Sequence, residues 1–467
     1  MTWRLTLTAL LLAFISSCGG GAGGGVSIID RSGVYVGQVT AFGSVFVNGV
    51  EFDTGATTFT IDDQPSSEDK LQVGQIVRVS GSLAADGTTG TADALSTDPW
   101  TRGLVTAVNA ASGTVTVLGT TIRVDGDTRF LGNFPLNGIA GLLIGDRVEV
   151  HAIEAAGGEV LATLIQRTTD TRLEIHGRVS QLDSGSRLFA INGLQVDYTN
   201  AQQVDLASGL AMGDLVEANG EDLAGATLIA TRLQRESGAV FDANDAGVEV
   251  EIEGVITRFD SATDFRLGDT RVTTTGATTF TGGTAADLRE DRILTAEGRI
   301  DANGRLAATH IILRQASNLE IEAPVEAVNA QAGTVTVLGI RFSITDTTAL
   351  ADESPAEIRR FSLADLATGD TVEIRGTAAG GQIVARELVR QEAEDEQEIR
   401  GAVTGIANPE FRIQAAVIRT DAQTEFEASD RSLSAAEFFQ RLGSGDVVEV
   451  EGRVVEPGIL LARKVER

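Results

Sequence analysis

Residues 107–119 read AVNAASGTVTVLG and residues 327–339 read AVNAQAGTVTVLG, identical at eleven of thirteen positions although nearly half the chain separates them. A chain that repeats itself this closely is built from recurring supersecondary units, so every local motif has to be judged as one copy of a pattern. Fainter copies lie between and beyond these two, and six can be laid out along the 467 residues.

Each copy opens on a short strand pattern carrying glycine: VGQVTAF from Val36, RGLVTAV from Arg102, HGRVSQL from His176, EGVITRF from Glu253 and RGAVTGI from Arg400. In the fifth copy, APVEAVN, Pro324 stands for the glycine, and a proline that cannot donate to a ladder predicts an edge strand or a later start. A hairpin follows, with Asn48-Gly49 and Asn192-Gly193 as type I′ turn pairs and Ala111-Ser112-Gly113 or Gln331-Ala332-Gly333 as slightly longer loops. A third strand ends in a threonine-rich corner such as TGATTF at 54–59 and again at 275–280. A short helix is expected next. It is clearest over 433–442, where Ser434 and Glu437 form a capping box and Phe438, Phe439 and Leu442 an apolar stripe.

The helix leads into G-D-x-V-E-V or a relative at Gly74-Gln75, Gly145-Asp146, Gly213-Asp214, Gly369-Asp370 and Gly445-Asp446, with Glu290-Asp291 in the fourth copy. Valines alternate there with acids, the mark of a half-buried strand. A small-residue hairpin and an apolar final strand ending in a basic residue close each copy. Strand, strand, strand, helix, strand, strand is the order of an OB-fold, a five-stranded Greek-key barrel. The fold class is therefore all-β with short helices, a tandem array of six small OB-like β-barrels. They span 35–98, 99–170, 171–237, 248–316, 317–394 and 395–467. Modules of this size bury only about 60% of their unfolded surface alone, so neighbours are expected to support one another. Glu392 through Glu398, EAEDEQE, reads as a solvated charged spacer.

The start of the chain follows different rules. Residues 1–17 read as a signal peptide, with Arg4 before an apolar run at 5–15 too short to span a bilayer and Ser16-Ser17 as small cleavage-site residues. Ile15-Ser16-Ser17-Cys18 resembles a bacterial lipobox, and Cys18 is the chain's single cysteine. The resemblance implies cleavage before a lipidated Cys18, with residues 18–34, glycine-rich over 19–25, as a tether and Gly19 pointing to the outer membrane of a Gram-negative cell. Dual or triple acylation anchors stably where one chain would not. No disulfide is then available, so stability rests on packing.

A net charge of −29 and 5% aromatic residues argue against nucleic-acid partners, which OB domains bind on basic grooves with stacking aromatics. Phe42, Phe46, Phe52 and Phe59 come closest to a cluster, and alternation sends most of them to the barrel interior. No catalytic, cofactor or metal constellation is found. His151, His176 and His310 fall in different modules without zinc-ligand spacing, and no nucleophile elbow or phosphate loop is present. Asp301-Ala302-Asn303-Gly304 starts like a calcium loop but lacks its closing glutamate and reads as a turn.

The repeated G-x-V-T opening, T-x-F corner and G-D-x-V-E-V strand resemble a bacterial domain-of-unknown-function family of repeated OB-like modules, DUF5666-like, found in predicted lipoproteins and other exported proteins. The resemblance covers residues 35–467 and implies export and fold while bringing no catalytic or binding residues. Pro324, Glu290-Asp291 and His151-Ala152 depart from its pattern. The function expected is that of a lipid-anchored, non-enzymatic binding or scaffold protein of the cell envelope, periplasmic or at the surface. It would meet the membrane through Cys18 and a protein or glycan through its barrel faces. The alternatives are an envelope spacer, since six modules in a row could exceed about 100 Å, or a cation-binding or hydrolytic protein using one barrel.

Overall fold

A computed structural model of the chain describes residues 32–132, 138–236, 241–379, 381–393, 395–428 and 431–467. The signal segment 1–17, Cys18 and residues 18–31 of the tether lie outside the described residues. From Ser32 onward the strands follow the alternation read from the sequence, and their pairing closes each repeat on itself. In module 2 the first strand (Thr101–Asn109) pairs antiparallel with the second (Thr114–Val117), and the second with the third (Thr120–Arg123). The third runs parallel to the fifth (Val160–Arg167), which pairs antiparallel with the fourth (Arg147–Glu154), and the fourth returns to the first. This 1-2-3-5-4 ring recurs in module 1, module 3, module 4, module 5 and module 6. It is the OB-type barrel.

The repeated residues hold the barrel's corners. The corner threonine sends its hydroxyl across to a fifth-strand carbonyl in five modules: Thr57 to Ala92, Thr128 to Ala162, Thr278 to Ala308, Thr348 to Ala385 and Thr424 to Ala462, at 2.7–3.0 Å. The opening glycine makes room for the turn between strands two and three. A Cβ on Gly37 would fall 1.9 Å from Asn48 Oδ1, and one on Gly103 would fall 2.7 Å from Leu118 Cγ. That turn is Asn48-Gly49 and Asn192-Gly193 as read, but in the twice-repeated sentence it is Leu118-Gly119 and Leu338-Gly339, with the leucines at φ 47° and 48°. Ala111-Ser112-Gly113 lies one strand earlier, between strands one and two.

Three further readings are corrected. Among the described residues the expected helix is an α-helix only in module 6 (Ala435–Arg441, capped by Ser434 and Glu437). Modules 1, 2, 4 and 5 have single 3-10 turns in its place, each ended where a buried leucine, Leu71, Leu142, Leu288 or Leu366, returns the backbone to the extended form. Pro324 is neither at an edge nor at a strand start. It sits inside Leu319–Asn329, where Ala323 takes the glycine's place. The amide of Val325 donates to Asp370 O, so alternation turns the Pro324 nitrogen to the other side, in the gap between two ladders. In module 4, Asp291 takes the glycine place with φ 62°, donates to Ile256 O as Gly145 does to Val105 O, and the turn survives.

The modules are not beads. The first strand of module 2 pairs antiparallel with that of module 3, through Arg102 opposite Glu174, and module 5 joins module 6 the same way, through Leu319 opposite Gly401 to Glu322 opposite Glu398. Modules 1 and 4 join across the chain, their first strands parallel from Gly33 opposite Glu249 to Val36 opposite Ile252. Six barrels thus make three thirteen-stranded sheets. The long offset between the two near-identical stretches acquires a structural meaning: modules 1–3 and 4–6 are two copies of one three-barrel plan, joined through their leading barrels. Glu398, placed by sequence in a solvated spacer, belongs to the joining strand Gln397–Ala407 and is half-buried. From Arg31 to Arg467 the chain is one compact unit.

Candidate functional site

Barrels of modules 1, 2, 4 and 5 meet around a cavity of about 370 Å³. Its walls are the outer faces of strands whose inner faces fill the barrel cores, so each contributing side chain is set by strand alternation. Module 1 supplies Gln38 and Thr40 from its first strand and Asn48 from the turn. Module 2 supplies Arg129 and Thr163, module 4 Glu253 and Arg314, and module 5 Arg386 and Glu387.

Buried ion pairs knit this wall. Arg129 reaches from module 2 into module 5, with Nη1 donating to Glu387 Oε1 at 2.6 Å and Nη2 to Glu353. Arg375 joins them through Glu387 at 3.4 Å and donates to Thr128 O at 2.9 Å. Arg314 of module 4 pairs with Asp127 of module 2 at 3.0 Å and with Glu253 of its own module at 3.1 Å. Burial alone would raise the Asp127 carboxyl, but Arg314 and Arg386 with the Ser317 hydroxyl hold it below the usual carboxylate range. Around module 1, Arg102 carries Asp62, Glu149 and Glu174, while Arg359 lies 3.9 Å over the Phe42 ring and donates to Leu71 O at 2.9 Å. Arg386 differs from all of these in its partners: its Nε, like those of Arg129 and Arg314, is buried without an acceptor, but among the described residues no carboxylate pairs with it.

The three histidines remain apart. His151 is buried against Gln75 Nε2 at 3.2 Å, and His310 lies between Thr281 and Glu297. His176 has company that spacing did not announce: it sits directly opposite Glu217 and two residues after Glu174, and the three bring ligand-type atoms within 4.8 Å of one another. The signal was Glu-x-His on one strand face, unreadable until strand four was placed beside it. Burial alone would lower His176, but Glu174 and Glu217 carry it up to about 9, while burial pushes Glu174 up to about 7 and Asp98 up to about 6. Glu174 also binds Arg102 at 2.8 Å. The ligand-type atoms of Glu174, His176 and Glu217 are close enough together to hold a metal ion, and His176 Nε2 lies 3.3 Å from Glu174 Oε1. Asp301 accepts from the amides of Asn303 and Arg305, at 2.7 and 3.0 Å, and forms a turn. Phe42, Phe52 and Phe59 are buried in the module 1 core and Phe46 is half-buried.

The family model described as a domain of unknown function (DUF5666) matches six times, at residues 35–93, 102–166, 176–234, 253–312, 322–388 and 400–466. The chain belongs to that family. No curated protein matches it. Among the described residues no helix is long and apolar enough to cross a membrane.

Proposed function

We propose that this is a lipid-anchored, exported, non-enzymatic binding or scaffold protein of the bacterial cell envelope, held through acylated Cys18 with its glycine-rich tether at the outer membrane, facing a protein or glycan partner and no nucleic acid. What supports binding over spacing is the chamber walled by four barrels. A spacer gains reach from modules in a row, whereas here first strands from distant parts of the chain pair and the barrels fold back on one another. The −29 charge and acidic strand faces favour solubility and disfavour polyanions. Protease accessibility of the tagged chain on intact and permeabilised cells, beside Cys18→Ala, tests the reading. Envelope retention that is lost in Cys18→Ala is expected; a chain that fractionates identically with and without Cys18 overturns the anchor. A turnover activity lost on point substitution overturns the non-enzymatic assignment.

A further inference from the structure

Arg386 is the feature of the chamber that the fold does not require. The same barrel position, one residue after the alanine whose carbonyl accepts the corner threonine, is threonine in modules 2, 3 and 4 (Thr163, Thr231, Thr309). In module 6 it is Arg463, which has carboxylates of its own, Glu396 at 2.6 Å and Glu451. Arg386 has none among the described residues. Asp127 and Glu253, whose fields reach it, are both bound to Arg314, and Glu387 beside it is bound to Arg129 and Arg375. Arg386 is half-buried with its Nε lacking an acceptor, and a guanidinium fork matches a carboxylate or phosphate edge.

Around it the wall sets hydroxyls and amides, Thr40, Thr281, Thr295 and Thr347 with Gln38 and Gln315, among apolar side chains such as Val73, Leu313 and Val384. The hydroxyls and amides are donors and acceptors in both senses, suited to a polyhydroxylated body, and 370 Å³ lies within the range of small-ligand pockets, about 300–1,000 Å³. We propose that the chamber binds a small hydroxylated acid, a sugar acid or sugar phosphate, with its oxyanion on Arg386 and its hydroxyls on the threonine and glutamine wall. The inference rests on reading the protein as a binder and gives that reading a ligand class.

The test is isothermal titration of the purified full chain with galacturonate, glucose 6-phosphate and neutral galactose, at moderate salt because the protein's overall charge opposes anion approach. Binding of one or both acids, at least tenfold tighter than galactose and weakened at least tenfold in Arg386→Gln, is the expected result; which acid binds identifies the oxyanion. Because Arg386 has no carboxylate partner to lose, Arg386→Gln should fold with an unchanged or higher melting temperature, which separates loss of binding from loss of structure. Arg463→Gln serves as a control that leaves binding intact. The proposal is overturned if neither acid binds at about 10 mM, the weak limit of useful recognition, if galactose binds as well as the acids, or if Arg386→Gln binds unchanged. Envelope retention through Cys18 is read in cells and is indifferent to Arg386, so failure here leaves that reading standing.

Discussion

Replacing Arg129 by alanine cuts one of the ties between modules 2 and 5. The side chain is 8% exposed and its two partners, Glu387 and Glu353, are 10% and 29% exposed. Removing one member of a buried pair typically costs about 3–5 kcal/mol, because the charge left behind is uncompensated. Two features move the figure to the lower end. Glu387 keeps Arg375 at 3.4 Å, and burial already raises the Glu353 carboxyl, so a proton can replace the lost cation there. The expected destabilisation is about 3 kcal/mol. If the barrels melt as one unit of about 440 residues, the unfolding entropy of roughly 0.9 kcal/mol/K turns this into a shift of about 3 °C in a single calorimetric transition. A lone barrel of about 65 residues would shift by roughly 20 °C, and only in its own transition. Glu387→Gln added to Arg129→Met should cost less than the sum of the two single changes. An Arg129→Ala chain that melts like the parent would refute the reasoning, since the ion pair exists only if modules 2 and 5 touch.

Three other outcomes follow from the same structure. His176, up to about 9 from its ordinary 6.5, gives a stabilisation that is complete below about pH 6.5 and lost as pH rises through about 9; denaturant melts at pH 6 and 10 should differ by on the order of 2 kcal/mol more in the parent than in His176→Gln. Glu398 is pushed up to about 8 by burial and then by Glu449, Glu320 and Glu322, so its ionisation costs nothing below about pH 4.5 and most above about 8. Glu398→Gln should stabilise by about 2 kcal/mol at pH 9, after allowance for solvent screening, and be neutral at pH 4; equal effects at both pH values would count against the crowded-carboxylate account. Gly298 lies at a fourth-strand bulge where a Cβ would fall 2.1 Å from Ala307 O, so Gly298→Ala should lower stability by about 2 kcal/mol or more, with an unchanged melting temperature as the contrary result.

Periodicity made the barrels legible because each strand alternates against its own core, and because glycine, threonine and G-D recur at fixed places. The positive-φ leucines 118 and 338 were not legible, since leucine carries no turn signal and only alignment with Asn48 exposes the role. Nor were the joins between modules. Strand pairing between positions as distant in the chain as Gly33 and Glu249 is carried by backbone amides that every sequence offers. The chamber shares that obscurity: Arg129, Arg314 and Arg386 each read as a basic residue on a strand, and only packing decides which of them has a carboxylate waiting. Ala152, where five modules have glycine, keeps the bulge, at His151-Ala152, so the substitution altered less than the pattern implied.

Small-angle X-ray scattering of residues 32–467 is the most direct test that the six barrels are one body. A compact chain of about 440 residues has a radius of gyration of about 22 Å, whereas six barrels of roughly 25 Å in a row would exceed about 40 Å. The compact value, unchanged by salt, is predicted. A value in the extended range would contradict the joined first strands and, with them, the chamber.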